Sequence, residues 1–195
     1  MKKSLLILTL IFISSIGVSL AQKNIGIAFA GGLSKGKAPA ENDSFGIPRS
    51  INRQMMYYGV AGVYRTNTMP VGKGGIGLNV PVTVGLSSTS LYFDGSAMIQ
   101  YQIGALSSED NVDKSGYYFG AGVGLVHATW IPIETGTHQI PNITSNSFTP
   151  IVEAGTRVRV GRAEYYTDLG LFYKFNSSPN AKHNIYGLKF TYYLK

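Results

Sequence analysis

One glycine-rich segment of this sequence carries residue types that could bind a phosphate. Residues 31–38 read GGLSKGKA, which nearly matches a phosphate-binding loop. In that motif a Ser or Thr follows the lysine to hold magnesium, and a helix begins there, whereas here Ala38 follows Lys37 and no helix is predicted. We therefore interpret residues 31–38 as a flexible loop and predict no cofactor-binding residue.

The histidines are the other residues that could do chemistry. His127, His138 and His183 are the only three, and the sequence has no cysteine. A zinc site needs three or four converging ligands, so we predict no metal site. Glu153 could orient His127 as a general base. Because no nucleophile accompanies this pair, we predict no catalytic residue and expect that the protein is not an enzyme.

The N-terminal residues have the pattern of an export signal. Residues 1–3 are basic, residues 4–20 are apolar or small, and Ser19 and Ala21 fit the small-residue positions of a signal-peptidase site. We predict that residues 1–21 are a signal peptide and that residues 22–195 form one domain. The absence of cysteine excludes a lipoprotein and a disulfide framework. Because the signal predicts export, nucleic acid is not an expected partner, although the whole chain has a formal net charge of +7.

Beyond the signal, apolar residues recur at every second position, which predicts β-strands. The clearest strand runs from Ile76 to Leu86, where Pro81 predicts a bulge or local irregularity because proline removes a ladder donor. Eight strands are expected, at residues 23–32, 54–65, 76–86, 96–103, 117–125, 152–160, 164–174 and 186–194.

The alternation leaves open which face of the strands meets water. Glycines and large polar residues share one face, which suits the crowded interior of a narrow eight-stranded barrel. Aromatic residues cluster toward strand ends, as at the two interfaces of a membrane. We therefore predict a transmembrane barrel whose apolar face meets lipid and whose lumen holds a structural polar network. The residues expected in that network are Glu153, Arg157, Arg159, Asp168 and Lys174.

Two segments resemble a known family. The glycine-patterned strand YYFGAGVGL begins at Tyr117, and the C-terminal residues Gly187 to Tyr192 have a glycine followed by two aromatics one residue apart. These segments resemble the small outer-membrane β-barrels of the OmpX and OmpA-membrane-domain kind. The resemblance implies an antiparallel eight-stranded barrel in a Gram-negative outer membrane. It also implies contact with outer-membrane lipid and lipopolysaccharide, and with the barrel-assembly machinery during biogenesis.

Three functions remain open from the sequence. The leading expectation is a non-enzymatic integral outer-membrane protein that acts through two long polar loops, at residues 33–53 and 127–147, in surface contact or envelope integrity. A soluble periplasmic or secreted barrel, with its apolar face inward around a small ligand, is an alternative. A lipid A-modifying enzyme using His127 is another, because some eight-stranded barrels have that activity. The oligomeric state stays open.

Overall fold

The alternating apolar residues build eight antiparallel strands in the computed structural model, as the sequence predicted. The structure describes residues 23–42, 48–87, 90–105, 114–130, 144–160, 165–175 and 183–194. The strands are β1 (Lys23–Asn42), β2 (Pro48–Val71), β3 (Gly74–Ser87), β4 (Ser90–Gly104), β5 (Ser115–Trp130), β6 (Thr144–Val160), β7 (Tyr165–Phe175) and β8 (His183–Leu194). The predicted signal peptide, residues 1–21, lies outside the described residues. No helix in the described part of the chain is long and apolar enough to cross a membrane.

Each strand pairs with its neighbours in the sequence, and β8 pairs with β1 to close the barrel. Following directly paired residues once around the wall from Asn24 returns to β1 at Ser34, ten residues farther along. The shear number is therefore 10, which for eight strands corresponds to a strand tilt of about 40°. Closure pairs the first strand with the last, so the wall has no edge to leave unpaired in lipid.

The two ends of the barrel differ. The β2–β3 connection is a two-residue turn in which Gly72 has a positive φ of 60°. This end, which also holds Lys23 and Leu194, is called the turn end below. The opposite end, called the loop end, holds the connections after β1, β3, β5 and β7.

The predicted loop at residues 33–53 is wrong in large part. Residues 33–42 belong to β1 and residues 48–53 to β2. The pairing of β1 with β8 ends at Gly36, and the pairing of β2 with β3 ends at Tyr57. Beyond these points residues 37–42 pair only with residues 48–52 of β2. We call residues 37–42 and 48–56 the ribbon. The prediction assigned a loop because the segment is polar. Two strands that extend into water can pair through their backbones without an apolar face.

The second predicted loop, at residues 127–147, is also shorter than expected. Residues 127–130 belong to β5 and residues 144–147 to β6, and the two segments pair with each other. Residues 131–143 lie outside the described residues. The structure thus lengthens both hairpins beyond the roughly 10 residues that a tilted strand needs to cross a bilayer.

Pro81 interrupts hydrogen bonding without shifting the register. The β3–β4 pairs run to Asn79 and resume at Val82 in the same register, while Pro81 still lies opposite Val63 of β2. The predicted irregularity is confirmed, but it is a gap in the ladder rather than a bulge. The register of β2 against β3 instead shifts between Asn67 and Met69, near the turn end.

Candidate functional site: the outer wall and the closed lumen

The outer wall of the barrel is apolar. Leu125, Ile99 and Ile25 are among the most exposed residues, at 66, 65 and 62%. Such a surface is unfavourable in water, and soluble monomers rarely expose contiguous apolar patches larger than a few hundred Å². The wall is therefore built to face lipid, and the alternative of a soluble carrier with an apolar interior is wrong.

Aromatic side chains frame this wall at both ends. Tyr117 and Tyr165 are exposed near the turn end, and Phe148 and Phe175 near the loop end. Phe93 and Tyr101 lie eight residues apart on β4, which corresponds to a height of about 20 Å at a rise of about 3.4 Å per residue and a tilt of about 40°. This height is close to the apolar band of about 25 Å between the aromatic girdles of outer-membrane barrels.

The lumen near the turn end contains a buried guanidinium network. Arg157 is 1% exposed and donates two hydrogen bonds to Asp168, from Nε to Oδ1 and from Nη2 to Oδ2, both at 2.5 Å. Its Nη1 donates to Gln102 Oε1 at 2.7 Å. The guanidinium carbon also lies 5.4 Å from the ring centroids of Tyr118 and Tyr193. Arg157 therefore has its charge paired, hydrogen bonds from each of its three nitrogens and two aromatic rings beside its guanidinium.

Two further ion pairs occupy the lumen toward the loop end. Glu153 accepts hydrogen bonds from Lys189 Nζ and, at 2.9 Å, from Tyr118 Oη. Asp94 forms an ion pair with Lys174 and accepts a hydrogen bond from Ser96 at 2.8 Å. All of these residues are buried. A buried charge is tolerated only when it is paired and hydrogen-bonded, and each of these pairs meets that condition.

An aromatic layer closes the lumen at the loop end. The Tyr57 ring packs edge-on against Tyr92 and Phe172, with centroid separations of 5.7 and 6.3 Å. Val126 and Ile185 complete this cluster. A cavity in the lumen that Lys174 and Lys189 line has a volume of about 20 Å³, which holds about one water molecule. At this level of the lumen, the side chains therefore leave room for little more than one water molecule.

Glycine pairs on the wall make room for two of these rings. Gly59 and Gly85 lie opposite each other on β2 and β3, and a Cβ atom on Gly85 would lie 2.6 Å from the Tyr57 ring. Gly155 and Gly170 pair in the same way on β6 and β7, where a Cβ on Gly170 would collide with Tyr118 Oη. These two inward glycine pairs are thus the surfaces on which Tyr57 and Tyr118 lie.

The structure places four of the five predicted network residues deep in the lumen, in separate pairs. Arg157 contacts Asp168, whereas Glu153 and Lys174 contact Lys189 and Asp94. Arg159 is only half-buried, and its backbone N–H donates to the carbonyl of Lys114 at 2.7 Å. The predicted network did not include the partners Asp94, Gln102, Tyr118 and Lys189. Extending the every-second-residue pattern of β4 from Gln100 back to Asp94 would have placed that carboxylate inside.

The structure does not support the suggested pairing of His127 with Glu153. His127 is exposed on the outer wall near the loop end, and its Nδ1 lies 2.6 Å from Oδ1 of Asn146, the residue opposite it on β6. Glu153 points into the lumen. The two side chains lie on opposite faces of the wall. No cluster of three or more metal-ligating side chains occurs within the described ranges.

Comparison with known proteins gives the fold a precedent. No protein-family model matches the sequence, and no curated protein is significantly similar to it. Among solved structures, Neisserial surface protein A (NspA) is 16% identical with a TM-score of 0.51, covering 88% of this chain and 96% of NspA. Ail, the attachment invasion locus protein of Yersinia pestis, solved in complex with the heparin analogue sucrose octasulfate, is 11% identical with a TM-score of 0.44, covering 89% of this chain and 99% of Ail.

The NspA match agrees with the barrel's own geometry. The strand number, the antiparallel closure, the apolar wall and the polar lumen are those of a transmembrane barrel. This chain has the fold of the small eight-stranded outer-membrane β-barrels.

Proposed function

We propose that this protein is a non-enzymatic integral protein of a Gram-negative outer membrane, with its turn end in the periplasm and its loop end at the cell surface. The observation that carries this proposal is the pairing of an apolar, aromatic-framed wall with a filled polar lumen. Such a barrel spans a membrane without conducting solutes. Outer-membrane lipid and lipopolysaccharide are then its surroundings, and the barrel-assembly machinery its expected partner during insertion.

The ribbon is the surface that we propose for contact with other molecules. It extends β1 and β2 beyond their neighbouring strands, so the backbone of residues 48–56 has no partner on the β3 side among the described pairs. At about 3.3 Å per residue, its β1 arm is about 20 Å long and its β2 arm about 30 Å long. A segment of this length above the bilayer contributes little to membrane insertion, which supports a role in surface contact.

Fractionation and gel mobility test the location. We expect the protein in the outer-membrane fraction, migrating differently before and after boiling, because closed barrels resist detergent until heated. Recovery in the soluble periplasmic fraction without a mobility change would contradict the proposal.

A shortened ribbon tests the surface role. Ala38 and Ile51 are a cross-strand pair, so replacing residues 39–50 with Asn-Gly joins them through a two-residue hairpin turn in the native register. We expect this variant to keep its heat-dependent mobility and its protection of cells against detergent, but to lose cell adhesion to protein-coated surfaces. Unchanged adhesion would exclude the ribbon as the surface that binds other molecules. Loss of detergent resistance with unchanged adhesion would instead favour a role in envelope integrity.

A further inference from the structure

A groove with a volume of about 550 Å³ indents the outer wall across β5 to β8. This volume falls in the range of ligand pockets, about 300–1,000 Å³. Ala154 lies opposite Phe119 on one side and Leu171 on the other, and its small side chain leaves the depression between these larger ones. The groove is thus a consequence of one small residue at an outward position of β6.

The position of the groove limits what can occupy it. Its lining side chains Phe119, Leu171 and Leu188 belong to the exposed apolar wall that faces lipid. A soluble ligand or a peptide would have to cross the interface to reach it, whereas a lipid chain is already there. The chemistry that fits the groove is therefore a hydrocarbon chain.

The loop end of the groove has features suited to a lipid headgroup. Tyr173 and Tyr186 lie in the lining near the loop ends of β7 and β8, and their rings stack with centroids 6.2 Å apart. Tyrosines at this depth place their hydroxyl groups at the headgroup level. Lys35 is exposed on β1 opposite Asn184, two residues beyond Tyr186 toward the loop end. An ammonium group there complements a phosphate.

We propose that this groove binds one acyl chain of a lipopolysaccharide molecule in the outer leaflet, with Lys35 next to its phosphate. The choice of lipopolysaccharide rests on the proposed orientation, because the tyrosine end of the groove then lies in the outer leaflet. The bound chain fills the depression beside Ala154 and holds the lipid against one side of the barrel.

Native mass spectrometry of protein extracted from outer membranes in a mild detergent tests this proposal. Ala154→Phe fills the groove, and Ala97→Phe is the matched control, because Ala97 is an outward alanine of β4 that does not line it. We expect the wild type and Ala97→Phe to retain one lipopolysaccharide. Ala154→Phe should lower the retained fraction by at least about tenfold, the ratio given by 1.4 kcal/mol. If Ala154→Phe does not fold, the smaller substitution Ala154→Leu is used in its place.

Each other outcome has a distinct meaning. Equal retention by the wild type and a folded Ala154 variant, or equal loss from both phenylalanine variants, would overturn the groove as the site. Retention of phospholipid instead would overturn the assignment to lipopolysaccharide. With Ala154 unchanged, Lys35→Glu should lower the fraction of protein that retains lipopolysaccharide. If Lys35→Glu has no effect, Lys35 does not belong to the site. Absence of the wild type from the outer membrane would instead contradict the proposed function.

Discussion

At the scale of single residues, three buried pairs of opposite charges organise the lumen. Arg157 is the most connected of them, with a bidentate carboxylate, an amide oxygen and two aromatic faces. A buried ion pair gives little net stability over apolar residues of similar size, but removing one partner leaves an uncompensated buried charge. Removing one partner should therefore lower the free energy of unfolding much more than replacing both partners with apolar residues.

Asp168→Asn should destabilise the barrel strongly, because Arg157 would keep its charge without a carboxylate. We expect a loss of about 3–5 kcal/mol in the free energy of unfolding, measured by urea titration of the protein in lipid vesicles. The double variant Arg157→Met/Asp168→Leu should recover most of this loss. Thr156→Ala, at an outward position of β6 next to Arg157, is the control. Equal stability of Asp168→Asn and the control would contradict a structural role for the pair.

At the scale of the strands, inward glycines determine where a tyrosine ring can pack against the wall of the lumen. Tyr57 lies on the Gly59 and Gly85 pair of β2 and β3. Gly62, by contrast, has no atom within 4 Å of the place where its Cβ would be. The same residue type therefore has two different roles: Gly59 and Gly85 face the lumen beside Tyr57, whereas Gly62 is exposed on the outer wall.

Gly85→Ala should destabilise the barrel by about 1–3 kcal/mol, because the added methyl displaces Tyr57 from its place in the aromatic layer. Gly62→Ala should change the free energy of unfolding by less than about 0.5 kcal/mol. Both values can be measured by the same urea titration. A similar effect of the two substitutions would show that Tyr57 does not depend on the glycine pair.

At the scale of the whole molecule, several layers close the lumen in series. The aromatic layer lies at the loop end, followed by the Asp94–Lys174 pair, the Glu153–Lys189 pair and the network around Arg157. Because each layer spans a lumen just wide enough for side chains, removing one leaves the others in place.

The barrel should therefore not conduct ions in planar lipid bilayers, and Tyr57→Ala/Tyr92→Ala should not conduct either. The measurement is single-channel recording after incorporation of heat-shifting, folded protein. Regular conductance steps from the wild type would contradict a filled lumen. Steps from the double variant alone would assign the whole barrier to the aromatic layer.

The alternation of residue types predicted the strand number and which side chains share a face. This information is local, because successive side chains on any strand point to opposite faces. It was enough to place Glu153, Asp168 and Lys174 in the lumen and Val82 and Leu125 outside it. The alternation alone left open whether the apolar face meets lipid or a dry interior, and the exposed apolar wall of the structure decided between them.

Only the tertiary structure decided which inward residues meet and where the strands end. Partners such as Lys189 for Glu153 depend on the register of several strands and on the shear of the closed barrel, which is a property of the whole ring. The ribbon depends on backbone pairing between two polar segments, which carries no apolar pattern. The wall groove beside Ala154 likewise exists only because β5 and β7 bring larger side chains to either side of it.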